Sequence, residues 1–486
     1  MSATAAVQTM PKGTPPRPAP VKRVLLLNPP GSETYLRDYY CSHTSKATYV
    51  YCPYDLFAQS GWLATEFDVT AIDAIAEHLT PEETLQRIDA SGCDTILFMT
   101  GAVSWVEDFP YMERVAREIG RPLRIIGNGD ILWEERDRFI ERYDWLEAAM
   151  TDFTTRDLLD HLRGEQWGDP IPNIMYRCGD QVVSGGLVRR RGVWTMPRPR
   201  HELFPIKNYR VPHGRRLPYS EMLTDYGCVY QCTYCIGGDL GFRTRDIDNC
   251  MEEMHYLADE MGVREIRFKD LTFGAVKRHA HALLDRMIED KINLTWLCLS
   301  RPSVLDRELL EKMKASGCHT IQMGLESSDP EFINRYKKAL KKPAVYEILE
   351  VCRNLGIRVL AHFILGLPGD TPDRIRETID YAIELDPAFA SFNIAMPRLG
   401  TRFRADLLEK GMITGDTNLL DNSKSYPILE TEELSREELW KLRNEAIRRF
   451  HLRPSYITKR LLDARSVYEL KTLFTEGWGL IRSTTN

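Results

Sequence analysis

Three cysteines, Cys228, Cys232 and Cys235, stand within eight positions in the stretch DYGCVYQCTYCIGG, residues 225–238. Their spacing is C-x3-C-x2-C, which leaves a four-coordinate metal site one ligand short. Three thiolates with a vacant position suit a [4Fe-4S] cluster whose fourth iron accepts an outside ligand. Structural zinc with Cys250 as the fourth ligand is the plainer alternative, but such sites usually pair two CxxC-type knuckles and no second pair occurs. Buried, unligated thiols are a further alternative, although no apolar periodicity calls for all three. The other eight cysteines are scattered along the chain, too sparse for a disulfide scaffold. That usage points to a reducing compartment and one metal site. Cys250, Cys298, Cys318 and Cys352 read as small core residues, which argues against a second cluster.

The elements that must position this loop follow from hydrophobic patterning. Residues 22–165 alternate short apolar runs (RVLLLNPP, FDVTAIDA, DTILFMTG, LRIIGNGD, LEAAMTDF) with amphipathic stretches. Buried strands separated by helices predict an α/β, doubly wound, Rossmann-like sheet. Residues 166–215 break the rhythm with a hairpin pattern and a Pro-punctuated connector. A second alternation over 216–405 offers six strands, too few for a closed eight-fold barrel, so a partial, TIM-like β/α barrel is expected with its functional groups at the C-terminal strand ends. Residues 406–486 read as a helical, charge-rich C-terminal region, and 1–21 as a disordered leader.

The 486 residues carry a net charge of −6 and a sequence pI near 6.1. This gives no general pull towards nucleic acid or an anionic surface, and an RNA-modifying enzyme would be expected to add a basic module. No apolar run approaches the ~20 residues that span a bilayer, and no secretory signal is evident, so a cytoplasmic protein is expected.

With Tyr234 just before the last cysteine, the loop resembles the signature of radical S-adenosylmethionine (SAM) enzymes. Four downstream segments agree with the resemblance. GLESS (324–328) looks like the family's segment after the fourth strand, and implies that Gly324, Glu326 and Ser327 contact SAM. LGLPGDT (365–371) is similar to the turn after the fifth, which would lay Gly366 and Pro368 along the adenine. FKDLTF (268–273) matches the second strand end and places Asp270 in the pocket. LCLSRP (297–302) matches the third, with Ser300 and Arg301 reaching inward. Taken alone, Gly366 and Gly369 could merely form a turn, Asp270 could cap a helix, and Glu326 could be a surface charge. The resemblance implies a cluster held by Cys228, Cys232 and Cys235, with SAM chelated at the open iron. An electron from a flavodoxin or ferredoxin would cleave SAM to methionine and a 5′-deoxyadenosyl radical. Asp270, Tyr226 and Arg301 become candidates for handling protons. A non-catalytic iron–sulfur or zinc scaffold stays open, although an electron carrier would normally close its cluster with a fourth cysteine.

A doubly wound domain ahead of such a barrel resembles the cobalamin-binding class of these enzymes, which includes methyltransferases and ring-forming enzymes of tetrapyrrole synthesis. The loops depart from that class. GNGDILW (127–133) stands where it commonly has a G-G-x-H turn, and MTDFTTRD (150–157) where it has G-E-G-E. Thr151, Asp152, Phe153 and Thr154 would put side chains in the path of the nucleotide tail, so bound cobalamin is the less favoured expectation. The first loop carries Tyr35, Tyr39, Tyr40, Tyr49, Tyr51 and Tyr54, an aromatic wall for a flat macrocycle or for packing between domains. Arg37, Lys46 and Arg189 to Arg191 could meet a substrate carboxylate or simply be solvated. Three net reactions share this framework: methyl transfer through cobalamin, oxidation of a methyl group, and radical dehydration of a diol. The resemblance to tetrapyrrole enzymes makes oxidation of the C-7 methyl of a bacteriochlorophyllide to a formyl group the expected outcome, with a bulky small molecule as substrate.

Overall fold

The structure is a computed structural model and describes residues 17–45, 49–414 and 427–482. The expected leader up to residue 16 and Lys46 lie outside the described residues.

The first unit opens with β1 (Arg23–Asn28), followed by a short hairpin of β2 (Tyr35–Leu36) and β3 (His43–Thr44). Helix α1 (Tyr54–Leu63) then leads to β4 (Asp68–Asp73), α2 (Pro81–Ser91), β5 (Thr95–Met99), α3 (Trp105–Glu118), β6 (Arg124–Asn128), α4 (Leu132–Arg142), β7 (Ala148–Met150) and α5 (Asp157–Arg163). All five residues of β5 are buried, as a parallel strand covered on both faces requires. Local signals agree with the turns: α2 starts on a Thr80–Glu83 capping box with Pro81 in its first turn. The strands are parallel in the order β4-β1-β5-β6-β7. The hairpin of β8 (Ile174–Cys178) and β9 (Gln181–Ser184), which the sequence places in a connector, extends this sheet antiparallel to β7. Its alternating burial suits an edge with one covered face.

The second unit follows β10 (Gly192–Trp194) and the Pro-rich connector. Its sheet is β11 (Tyr219–Met222), β14 (Glu265–Phe268), β15 (Thr295–Ser300), β16 (Cys318–Glu326), β17 (Arg358–Leu365) and β18 (Phe389–Ile394), all parallel and in sequence order. This is the six-stranded open barrel that the sequence predicts. Between β11 and β14, the short β12 (Asp225–Gly227) and β13 (Phe242–Arg245) pair with β10 in a small sheet of their own. Helices α6 (Ile247–His255), α7 (Lys277–Glu289), α8 (Arg307–Ala315), α9 (Pro330–Asn334), α10 (Lys342–Leu355) and α11 (Pro372–Leu385) cover the outside. After α12 (Arg402–Glu409), three helices close the chain: α13 (Arg436–His451), α14 (Pro454–Asp463) and α15 (Val467–Arg482). Helix α13 packs on α11 and β18. The two units share one core. Phe57 of α1 lies 4.1 Å from Phe204 and 4.8 Å from His201, ring centre to ring centre, and Tyr54 accepts a hydrogen bond from the Leu223 amide.

Candidate active site

The cysteine loop leaves β12 and returns through β13, so the antiparallel pairing of these strands ties both its ends. Inside it, the Cys235 amide donates to the Cys232 carbonyl (3.1 Å), and the Gly237 amide donates to Cys235 Sγ (3.3 Å). A Cβ on Gly237 would stand 2.6 Å from a Leu271 methyl and 3.2 Å from the Cys228 Cβ, so glycine leaves the room the thiols occupy. Thr272 Oγ1 lies 3.5 Å from Cys228 Sγ, and Arg301 Nη1 lies 3.4 Å from Cys232 Sγ. All three cysteines border one cavity of about 850 Å³. Burial pushes the Cys235 thiol up to about 12, and a metal bound there must displace its proton. Cys250 is fully buried within α6, away from the cavity, and does not complete a four-cysteine site.

The opposite wall is built where β16 ends. Its register against β17 slips between Gly324 and Glu326, and Glu326 takes a φ of 63°. A bulge followed by left-handed backbone re-aims a side chain, at a cost of ~1–3 kcal/mol. Glu326 pairs there with Lys338 at 2.6 Å, both side chains being less than a tenth exposed. Gly324 permits this, since a Cβ would collide with both partners. Arg301 donates to the Lys338 carbonyl, tying the β15 end to the same loop. The Tyr234 hydroxyl is buried beside them without a hydrogen-bond partner.

Of the residues expected at the site, Tyr234, Ser300, Arg301, Gly324 and Glu326 reach the cavity with the cysteines. Asp270, Tyr226, Ser327, Gly366 and Pro368 do not line it, although Leu367 between the last two does, and each is held by other partners. Asp270 accepts from the Thr224 amide (2.7 Å), the Asp225 amide (3.1 Å) and the Thr224 hydroxyl, fastening the turn between β11 and β12. Tyr226 faces the first unit, its ring 5.6 Å from Phe153 and under the Arg243 guanidinium. Ser327 Oγ accepts from the Asp329 amide, the Gly366 amide donates to Asp370, and the Pro368 carbonyl accepts from Tyr336. Lys338 and the Lys269–Asp38 pair (2.7 Å) escape sequence reasoning; the latter joins residues 231 positions apart at the cavity wall.

Much of the C-terminal edge of the first sheet is filled by side chains. Ser42 donates its hydroxyl (2.7 Å) and amide (3.0 Å) to Asp130, which also accepts from the Ala102 amide. The Tyr39 hydroxyl donates to the Thr151 carbonyl. Phe153 is fully buried, 5.2 Å from the Tyr39 ring, and Asp152 pairs with Arg243 of β13 at 2.9 Å. A gap beside Ala102 and Asp130 holds about 10 Å³, room for a water at most.

Residues 222–382 match the Radical SAM superfamily. The chain carries a radical SAM domain. Around that domain the likeness extends further. An uncharacterized methyltransferase of Pyrococcus horikoshii is 25% identical over 428 residues, 85% of this chain and 90% of its own. The tryptophan 2-C-methyltransferase of Streptomyces laurentii is 24% identical over 41% of this chain and 36% of its own length. The anaerobic magnesium-protoporphyrin IX monomethyl ester cyclase of Cereibacter sphaeroides is 22% identical over 79% of this chain and 64% of its own. Among solved structures, the radical SAM methyltransferase TsrM from Kitasatospora setae, with cobalamin and a [4Fe-4S] cluster bound, aligns over 96% of this chain and 99% of its own (TM-score 0.69, 16% identity). The cobalamin-dependent enzyme OxsB, with aqua-cobalamin and SAM bound, aligns over 96% and 72% (TM-score 0.68, 15% identity). These structures establish the shared fold: an α/β chain of parallel sheets with a radical SAM domain and a helical C-terminal region.

A radical SAM domain implies a [4Fe-4S] cluster and SAM, and the residues present fit both. Three thiols of one loop face the cavity, whose wall also carries Cys41 of the first unit, Gly237 opens the space among the three, and an orphaned Tyr234 hydroxyl stands beside the Glu326–Lys338 pair. Cobalamin is bound in the two solved neighbours, and in this chain the loop after β1 lines the large cavity through Asp38, Tyr40 and Cys41. The side chains of Ser42, Tyr39 and Phe153 occupy the sheet edge where a ligand of a doubly wound domain would lie.

Proposed function

We propose that this protein is a radical SAM enzyme acting on a carbon of a bulky, mainly apolar small molecule held in the interdomain cavity, the net reaction being transfer of the methyl group of a second SAM molecule, for which cobalamin would be the carrier. When bound and reduced, the cluster supplies the electron that splits SAM into methionine and a 5′-deoxyadenosyl radical, a species no side chain can generate. The chain's own residues hold and shield this chemistry. Cys228, Cys232 and Cys235 would anchor the cluster, with Arg301 close to the Cys232 sulfur to offset thiolate charge. Glu326, Lys338 and the Tyr234 hydroxyl present an acceptor, a cation and a free donor for the amino and carboxylate groups of SAM. A flavodoxin or ferredoxin would supply the electron.

One observation carries the reading: the three cysteines and the Glu326–Lys338 pair open into the same chamber of about 850 Å³ that continues under the C-terminal helices. That volume suits a substrate of drug size or above, and enclosure keeps water from the radical. Methyl transfer stands first because it is the activity of relatives that match this chain at length. Oxidation of a ring methyl on a tetrapyrrole such as a bacteriochlorophyllide is the second reading. It is favoured by Tyr40, Tyr49 and Tyr51 in the cavity wall, by the cyclase relative, and by the packed edge that opposes a cobalamin route.

The deciding experiment gives the reconstituted enzyme SAM with a trideuterated methyl group, a reductant and extracts of lipids and pigments. A product in which the labelled methyl replaces a hydrogen establishes methyl transfer. A product that gains oxygen without label establishes oxidation. Absence of 5′-deoxyadenosine with every acceptor overturns the radical reading itself.

A further inference from the structure

Helix α15 is amphipathic in the wrong sense for a helix that only packs on a barrel. Its inner side holds Glu469, 5% exposed, in ion pairs with Arg358 (3.3 Å) and Arg215 (3.2 Å). Its outer side carries Val467, Leu470, Phe474 and Trp478 at i, i+3, i+7 and i+11, one stripe, exposed by 83%, 36%, 69% and 60%. Helix α14 adds Ile457 and Leu461 one turn apart, 44% and 43% exposed, and Leu462 at 80%. A soluble surface scatters its apolar residues singly, so a contiguous patch of this kind marks an interaction face.

Two further observations say what covers it. Ile457, Leu461, Phe474 and Trp478 also line the active-site cavity, so the patch is the rim of that cavity's mouth. The segment 436–482 holds eleven Lys and Arg against six Asp and Glu, a net positive charge in a chain whose total is −6. Arg449, Arg453 and Lys459 pair with Asp380 and Asp386 outside the segment, while Arg448, Arg465 and Lys471 are exposed. An apolar stripe flanked by basic side chains is the pattern of a helix that lies in the interface of an anionic bilayer. A second copy of the chain would bring the same positive charge against this face.

We infer that the outer face of α14 and α15 docks on an anionic lipid membrane, and that an apolar substrate passes from it into the cavity. The second half rests on the functional reading above; the docking does not. No helix among the described residues is long and apolar enough to cross a membrane, so the contact is a reversible one at the surface.

The test sediments the full-length, cluster-loaded protein with vesicles of phosphatidylglycerol and phosphatidylcholine, and with phosphatidylcholine vesicles alone. Leu462→Asp/Val467→Asp, at two exposed positions outside the cavity wall, is the variant. The inference expects binding to the anionic vesicles, weakened by salt, and about a tenfold loss in the variant. Unstimulated 5′-deoxyadenosine formation should match wild type, which shows that the variant is folded. No binding to anionic vesicles overturns the inference. So does a concentration-dependent dimer that the same variant dissociates, since the face would then join two copies. If vesicles bind but no 5′-deoxyadenosine forms in either protein, the docking stands and the reaction assigned above is the part that fails.

Discussion

Both units of this chain are parallel α/β sheets, and in both the C-terminal strand ends face the same interdomain space. They use that edge in different ways. The barrel edge opens a chamber of about 850 Å³ with the three thiols of the cysteine loop in its wall. The first sheet fills much of its own edge with Tyr39, Ser42, Asp130, Asp152 and Phe153, beside which lies a gap of about 10 Å³, and reaches the chamber through Asp38, Tyr40, Tyr49 and Tyr51 of its β1 loop. The difference comes from small residues and what stands beside them. Gly237 and Gly324 keep space open around the cysteines and the Glu326–Lys338 pair. Gly129 serves the opposite end, letting the β6 turn lie so close to Thr100 that a side chain would collide. A fold thus supplies two ligand edges, and side-chain volume decides which one carries chemistry.

The sharpest way to break the contrast is at the open edge. Cys232→Ala should lose the iron–sulfur absorbance and reduce 5′-deoxyadenosine to background, read by visible spectroscopy and chromatography. Lys338→Met leaves Glu326 buried and unpaired, a loss of ~3–5 kcal/mol for such pairs. SAM cleavage should fall by roughly a hundredfold or more while iron content is kept. At the filled edge the effect is on stability. Phe153→Ala should cost ~3–5 kcal/mol, seen as a lower denaturant midpoint, and without its ring the first unit should loosen against Tyr39 and Tyr226.

The smallest effect is a matter of pH. Asp55, at the start of α1, accepts from Asn128 at 2.8 Å, and burial pushes its carboxyl up to about 7 from an ordinary 3.8. A raised acid lends its stability fully below the unfolded value and loses it as pH climbs through 7. Asp55→Asn should therefore flatten the decline in stability between about pH 4 and 7 and leave the variant the more stable at pH 8. A variant that keeps the wild-type slope would show that Asp55 is not the group responsible.

The fold was largely legible in the sequence because buried parallel strands are continuous apolar runs, and the eleven that patterning finds are the strands of the two main parallel arrays. The hairpin of β8 and β9 was legible as a hairpin in the connector, but its pairing with β7 was not, since the pattern of an edge pair does not name the strand it joins. At the site, the cysteines were found by spacing and Glu326 by its strand-end segment. Asp270 and Tyr226 were placed by motif on the correct strands, but a motif does not say which way a side chain turns. Asp270 turned to backbone amides and Tyr226 to the first unit. Lys338 was invisible because its meaning lies in a bulge twelve residues upstream.

The most direct test of the account takes anaerobically purified, iron-loaded protein with SAM and dithionite, with and without added cobalamin. It measures 5′-deoxyadenosine formed and corrinoid retained after gel filtration. The account predicts 5′-deoxyadenosine that requires Cys232; corrinoid retained with it assigns methyl transfer, and its absence assigns oxidation. No 5′-deoxyadenosine under either condition, or 5′-deoxyadenosine that persists in Cys232→Ala, would contradict it.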